Sequence, residues 1–349
     1  MKVMALNSSP RVTGQSKTEM LLTSLVKGMR DAGAEVTVVN LRQKKVNRCL
    51  GCYTCWTKTP GVCVHKDDMA LELYPQWLES DIAVYASPLY YYTFNAEMKA
   101  FMERTLPVLT PQLRNKGEVT SHDLRGGHPA VVSVSTAGFP EESVFDALSY
   151  WLKKLYGPVL LAEIYRPAGE TLAYSSKKDD VLDAMEQAGR ELITGKKVSQ
   201  ETMQRIKQPI ADPAVIAAMA NIAWQSLIDK KLAPAEADRQ GKYAMRPDSI
   251  EVMMTMLAFA FDPRKIEGRK GTLQFNLSGA RPGSFYLATD GVVCIPKQGQ
   301  AVKADCTVNG PFEVWADIIE GKADGAKMMM EGRYKVEGDL SLIMCFGQS

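Results

Sequence analysis

MKVMALNSSPRVTGQSKTEMLLTSLVKGMRDAGAEVTVVN, residues 1–40, is the stretch that decides the fold. An apolar, β-rich run at 2–6 passes into a polar loop. Helical apolar spacing follows over 16–32, and a second β-rich run fills 35–40. A strand, a crossover helix and a second strand make a right-handed unit whose strands lie parallel. The alternation continues, with β-rich runs at 81–86, 129–135 and 159–165 and helical spacing at 68–79, 95–106, 141–155 and 178–194. Five such strands predict an α/β domain over 1–200, a doubly wound parallel sheet with helices on both faces. Ligands of these sheets bind at the carboxyl ends of the strands, which directs attention to the loops after the first, third and fourth.

The first of these loops is NSSPRVTGQSKT, residues 7–18. Ser8, Ser9, Ser16 and Thr18 supply hydroxyls, Gly14 permits a tight backbone path, and the helix that follows presents free N–H groups, a combination suited to phosphate. The plainer reading is an N-capped helix whose Ser and Thr satisfy its first turn. Neither GxxxxGK[ST] nor GxGxxG occurs, which argues against a nucleoside triphosphate and the usual dinucleotide fold. After the third strand comes SPLYYYTFNAEMKAFMERT, residues 87–105, where Pro88 stiffens a turn and Tyr90, Tyr91 and Tyr92 offer flat amphipathic faces. Those faces suit a tricyclic ring such as isoalloxazine, or the cover of a core edge. After the fourth comes STAGFPEE, residues 135–142, small enough up to Gly138 for a ring to approach backbone donors.

Four cysteines crowd CLGCYTCWTKTPGVC, residues 49–63. The two-residue spacings turn Cys49, Cys52 and Cys55 toward one point, and a longer loop brings in Cys63, a geometry suited to a metal centre. The N-terminus has no signal-peptide core, and no stretch is long and uncharged enough to cross a bilayer, so the chain is expected to be cytoplasmic. In that reducing setting clustered thiols are metal ligands or redox groups more often than disulfides. An iron–sulfur cluster, zinc and free redox-active thiols all stay open, and His65 is read as a surface histidine rather than a ligand. Cys294, Cys306 and Cys345 lie among Val, Ile, Met and Phe and are read as core. A net charge of +2 from 42 basic and 40 acidic residues gives no support to nucleic-acid binding. The 349 residues, 46% apolar, favour more than one domain.

SSPRxxGQS, CxxCxxC with a fourth cysteine and KDDM after it, and SPLYYYTFNAEMKAFMERT together resemble the NAD(P)H-dependent FMN reductase and iron–sulfur flavoprotein group of flavodoxin-like proteins. The resemblance covers about the first 195 residues. It implies FMN, with the phosphate in residues 8–18 (Ser8, Ser9, Arg11, Gly14, Gln15, Ser16, Thr18) and the ring against Pro88, Leu89, Tyr90, Tyr91, Tyr92 and Thr93 and against Thr136, Ala137 and Gly138. It also implies a 4Fe–4S cluster on Cys49, Cys52, Cys55 and Cys63. Gln15-Ser16 stands where relatives often carry Asn-Thr.

Beyond residue 200 the character changes. Pro209 and Pro213 punctuate a helical linker over 201–245, with an Ala/Met-rich helix at 213–231 and a short one from Pro234 to before Tyr243, suited to packing or to dimerisation. Residues 246–349 read as an apolar helix, SIEVMMTMLAFAF, short Gly-bounded strands GTLQFNLSG, GSFYLAT, GVVCIPK and KADCTVNG, and a terminal helical segment. Trp315, Ile318-Ile319, the Met run 328–330 and GRYKVEGDLSLIM resemble a sterol-carrier (nonspecific lipid-transfer) domain, which implies an α+β fold with an apolar tunnel. The expectation is an FMN-dependent oxidoreductase fed by NAD(P)H or a ferredoxin-like protein. It needs no acid–base residue, binds an apolar small molecule or lipid, and forms a homo-oligomer. A lipid-binding scaffold would instead purify without flavin, and a thiol or cluster redox sensor would change oligomeric state on oxidation.

Overall fold

The computed structural model describes residues 1–117, 119–239 and 246–346. The chain divides into two compact units, one of Met1–Ala173 with Lys178–Gln208, the other of Tyr174–Lys177 with Pro209–Ser349. Residues 201–208 of the expected linker thus fall in the first unit and 209–239 in the second.

The first unit runs β1 (Lys2–Asn7), α1 (Lys17–Asp31), β2 (Glu35–Asn40), α2 (Tyr74–Leu78), β3 (Ile82–Tyr90), β4 (Thr93–Phe94), α3 (Ala96–Glu103), β5 (Leu109–Lys116), β6 (Val119–Leu124), β7 (Ala130–Thr136), α4 (Asp146–Tyr156), β8 (Leu160–Arg166), α5 (Gly169–Leu172), α6 (Lys178–Gly195) and α7 (Gln200–Lys207). The sheet order β2-β1-β3-β7-β8 is the flavodoxin-like doubly wound order, parallel throughout, with β4 added antiparallel to β3. Residues 3–7 of β1 and 82–87 of β3 are buried, as strands covered on both faces must be. α1 and α6 meet at glycines: a Cβ on Gly189 would stand 2.1 Å from the Leu25 carbonyl oxygen, and one on Gly28 1.8 Å from that of Glu186. Only hydrogen at both positions lets the two backbones approach so closely.

Two elements depart from the expectation. The helix foreseen over 68–79 begins as a wider π turn, Met69–Leu73, in which the Tyr74 amide reaches the Met69 carbonyl. Pro75 has no N–H to give the carbonyl of Leu71, and the turn widens next to that missing donor. The β5–β6 hairpin has strands too polar for an apolar period of two to reveal them.

The second unit runs α8 (Pro213–Lys230), α9 (Pro234–Arg239), α10 (Ile250–Phe259), β9 (Gly271–Ser278), β10 (Gly283–Thr289), β11 (Cys294–Gln298), β12 (Cys306–Pro311), α11 (Phe312–Ile319), α12 (Gly325–Met330), β13 (Lys335–Gly338) and α13 (Leu340–Ile343). Its sheet, β11-β10-β9-β12-β13, is antiparallel except where β12 runs parallel to β9. Phe275 stacks on Phe285 with centroids 4.7 Å apart, and Trp315 meets Phe275 edge-on at 5.0 Å. Asp212 caps α8, which packs on α10. Cys294, Cys306 and Cys345 are buried, as expected of core residues. Tyr243, before which the helix from Pro234 was expected to end, lies outside the described residues. Among the described residues no helix is long and apolar enough to cross a membrane.

Candidate functional site

The loops that follow β1, β3 and β7 are tied together by their own side chains. The Ser8 amide donates to the Ala86 carbonyl at 2.9 Å, and its hydroxyl does so at 3.2 Å. Asn95, the N-cap of α3, donates from Nδ2 to the Ser8 carbonyl at 2.6 Å and accepts at Oδ1 from the Ser87 hydroxyl at 3.1 Å. The Ser135 hydroxyl donates to the Ser87 carbonyl at 2.8 Å, and the hydroxyls of Thr18 and Thr136 lie 2.9 Å apart. One buried polar seam therefore fixes all three carboxyl-end loops against one another.

Within the first loop Ser8, Ser9, Ser16 and Thr18 are buried, whereas Arg11 and Gly14 are exposed and Gln15 half-buried. Ser16 caps α1, its hydroxyl accepting from the Glu19 amide at 3.0 Å. The Gln15 and Ser16 amides both turn back to the Val12 carbonyl, and Gly14 takes φ 87°, a left-handed value that favours glycine. Nothing lies within 4 Å of where a Gly14 Cβ would be, so the backbone there faces open space. Arg11 pairs with Glu170, and Arg42 reaches the Ser9 carbonyl, Thr13 and Glu19.

Tyr90 pairs with Thr93 across β3 and β4, which makes Tyr91 and Tyr92 a two-residue hairpin loop. Both have positive φ, 48° and 64°, the sign pattern of a type I′ turn that ordinarily takes Asn-Gly. Two bulky aromatics in the left-handed region are strained, and such strain persists where function retains it. Tyr91 is 99% exposed, and Val12 and Phe139 from the other two loops are also exposed. Pro88, Leu89 and Thr93 are half-buried, Thr136 and Ala137 buried, and Gly138 exposed. The tied loops thus offer buried hydroxyls and a capped helix N-terminus beside an unpacked aromatic and apolar rim. That pairing of donors with flat apolar surface fits a phosphorylated ring compound such as FMN.

The four cysteines line a single pocket with Leu50, Tyr53, Val64, His65, Glu103, Arg104, Leu106 and Pro107. Burial pushes the Cys55 thiol up, and the charges of Cys63, Cys49 and Cys52 add to it. The Gly51 amide donates to the Cys49 sulfur at 3.5 Å. Gly51 and Tyr53, both at positive φ, bend the chain around the pocket. At its base the loop is clipped shut. Arg104 makes a bidentate pair with Asp67, Nη1 to Oδ2 and Nη2 to Oδ1 at 2.9 Å each, with the side chains 1% and 0% exposed. Arg104 also donates to the Asn47 carbonyl at 2.7 Å, and Asp67 accepts from the Asn47 amide and side chain. Burial would raise the Asp67 carboxyl, but hydrogen bonds from Arg104 and the amides of Asn47 and Ala70 hold it well below the usual carboxylate range.

Two polar atoms in the cysteine pocket's wall, Arg104 Nε and His65 Nε2, are buried without a partner. The Arg104 Nε–H can only donate, so it calls for an acceptor that the protein does not itself supply. Among the described residues no three thiols, imidazoles or carboxylates converge as ligands of one ion would. A tetrahedral zinc site draws its ligands to within about 2.3 Å of one centre, whereas in a cluster each thiolate meets its own iron. Four thiols lining one pocket are a donor set of the kind that such a cluster takes.

Fold and tied loops define a flavodoxin-like α/β unit joined to an α+β unit. Residues 1–141 match the model of the NADPH-dependent FMN reductase family, and residues 261–348 that of the SCP-2 sterol transfer family. Both matched regions occur in one polypeptide, as the sequence led us to expect. An iron-sulfur flavoprotein of Archaeoglobus fulgidus is 38% identical over 143 residues, covering 41% of this chain and 58% of its own. One of Methanocaldococcus jannaschii is 33% identical over 109 residues, covering 31% of this chain and 52% of its own. The chain thus spans a little over half the length of the curated relatives it matches. Among solved structures, an NAD(P)H:quinone oxidoreductase from Methanothermobacter marburgensis aligns over 55% of this chain and 96% of its own, at 17% identity and a TM-score of 0.43.

Sequence reasoning assigned no role to Asp67, Arg104 or Asn95. Asn95 before an apolar helical run carried a legible cap signal. The Asp67–Arg104 pair spans 37 positions, and a single sequence holds no signal for it.

Proposed function

We propose that the first unit binds FMN and acts as a flavin-dependent oxidoreductase, taking electrons from NAD(P)H or a protein donor and passing them to an acceptor at the exposed rim. The observation that carries this reading is the polar seam that joins the loops after β1, β3 and β7, since it brings buried hydroxyls and exposed tyrosines to one edge of the sheet. Bound there, FMN would supply hydride and single-electron transfer, chemistry that belongs to the cofactor. The chain's residues do the rest. Ser8, Ser9, Ser16, Thr18 and the first amides of α1, with Arg11, Gly14 and Gln15 beside them, hold the phosphate. Residues 88–93 and 136–138 orient the ring and keep water from one face. No side chain has to take or give a proton.

Cys49, Cys52, Cys55 and Cys63 would hold an iron–sulfur cluster as a second, one-electron centre. The buried, unpartnered Nε–H of Arg104, a residue of the pocket wall, supports that assignment. The second unit would hold an apolar small molecule or lipid, a reading supported by its SCP-2 match.

The test is a visible spectrum of protein purified without oxygen, with iron and sulfide assays, on the parent and on Cys52→Ser. Flavin bands in both, with iron lost only in the variant, are expected because the cofactors use different loops. A colourless parent would overturn the flavin reading, and a yellow parent without iron would overturn the cluster alone.

A further inference from the structure

Arg104 already satisfies Asp67 and Asn47 with its terminal nitrogens, and its Nε–H is left over, buried, in the wall of the pocket that the four cysteines line. We infer that Arg104 sets the reduction potential of the cysteine-held cluster, with Nε–H as a hydrogen-bond donor to sulfur and the guanidinium as a fixed positive charge that Asp67 partly offsets. The inference rests on the cluster reading above.

The physical basis is charge. A cluster held by thiolates gains a further negative charge on reduction, so a cation at the pocket wall stabilises the reduced form, and a hydrogen bond to sulfur acts in the same sense. The Arg104 side chain is buried, so its charge is less screened than one in open solvent. Asp67 pairs with the terminal nitrogens of the same guanidinium, and its negative charge opposes it. The two members of one ion pair should therefore move the potential in opposite directions, which a merely structural clip would not do.

The experiment is an anaerobic spectroelectrochemical titration of the full chain with iron and sulfide assays, comparing the parent with Arg104→Met, Arg104→Lys and Asp67→Asn. At the parent's midpoint, the ratio of reduced to oxidised cluster should be about tenfold lower in Arg104→Met and higher in Asp67→Asn than in the parent. Arg104→Lys, which keeps the charge, should lie nearer the parent than Arg104→Met does. If Arg104→Met retains no iron, the Lys and Asn variants carry the test. Iron-loaded variants with the parent's potential, or Met and Asn variants shifted in the same direction, would overturn the role assigned to Arg104 alone. A parent without iron would overturn the cluster reading and this inference with it.

Discussion

Ser16 caps α1, so its hydroxyl stands at the helix end where a phosphate would sit. Ser16→Glu places a carboxylate there, and like charges a few ångströms apart in a partly desolvated site are repelled by on the order of several kcal/mol. We expect FMN to be lost from a folded protein, checked by the flavin absorbance and circular dichroism of the purified variant. Asp67 offers a second test, on stability. Its carboxyl is held below its ordinary value only in the folded chain, so the unfolded chain binds the proton more readily as pH falls. The stability this contributes is complete above about pH 4 and drains away as pH drops below it. Asp67→Asn should cost about 3–5 kcal/mol at pH 7, because it leaves Arg104 buried without its counter-ion. The gap between parent and variant in urea unfolding should narrow from pH 7 to pH 3. A constant gap would mean that the pair contributes packing rather than charge.

Among elements, the β3–β4 hairpin sets stability against binding. Replacing Tyr91-Tyr92 by Asn-Gly keeps the turn but removes two strained left-handed residues, worth about 1–2 kcal/mol each. The variant should melt at a higher temperature and retain less FMN, as read by thermal unfolding and by fluorescence titration of the flavin. A rise in melting temperature with unchanged affinity would show the tyrosines to be no part of the ring site. The hairpin also shows how much of an element is legible beforehand. The three tyrosines marked the loop, but the pairing of Tyr90 with Thr93 that forces the two residues between them to positive φ depends on backbone geometry that residue types alone would not suggest.

For the whole molecule, the boundary of the second unit makes a prediction. α8 packs on α10, so a fragment 209–349 should unfold cooperatively and at a higher temperature than a fragment 246–349, which loses that helix. If the unit encloses an apolar site, the longer fragment should take up a fluorescent fatty acyl probe, since each buried methylene contributes about 0.8 kcal/mol. A folded fragment that binds no probe would leave the unit as a packing module.

The sequence by itself determined the alternation of strands and helices, the three loops at the carboxyl strand ends and the clustering of four cysteines. Each is local: a period of 2 or 3.6, a cap residue, or a short spacing can be read without knowing what lies across the fold. It likewise carried both family resemblances, because these lie in contiguous motifs. Only the tertiary structure decided that Asn95 and Ser135 stitch the loops together, that Gly28 and Gly189 let α1 and α6 touch, and that Arg104 closes the cysteine loop while keeping one buried donor unpartnered. Each of these joins residues tens of positions or more apart in the chain. Such contacts form only once the chain has folded and buried the polar groups concerned, which must then find partners wherever the fold has placed them.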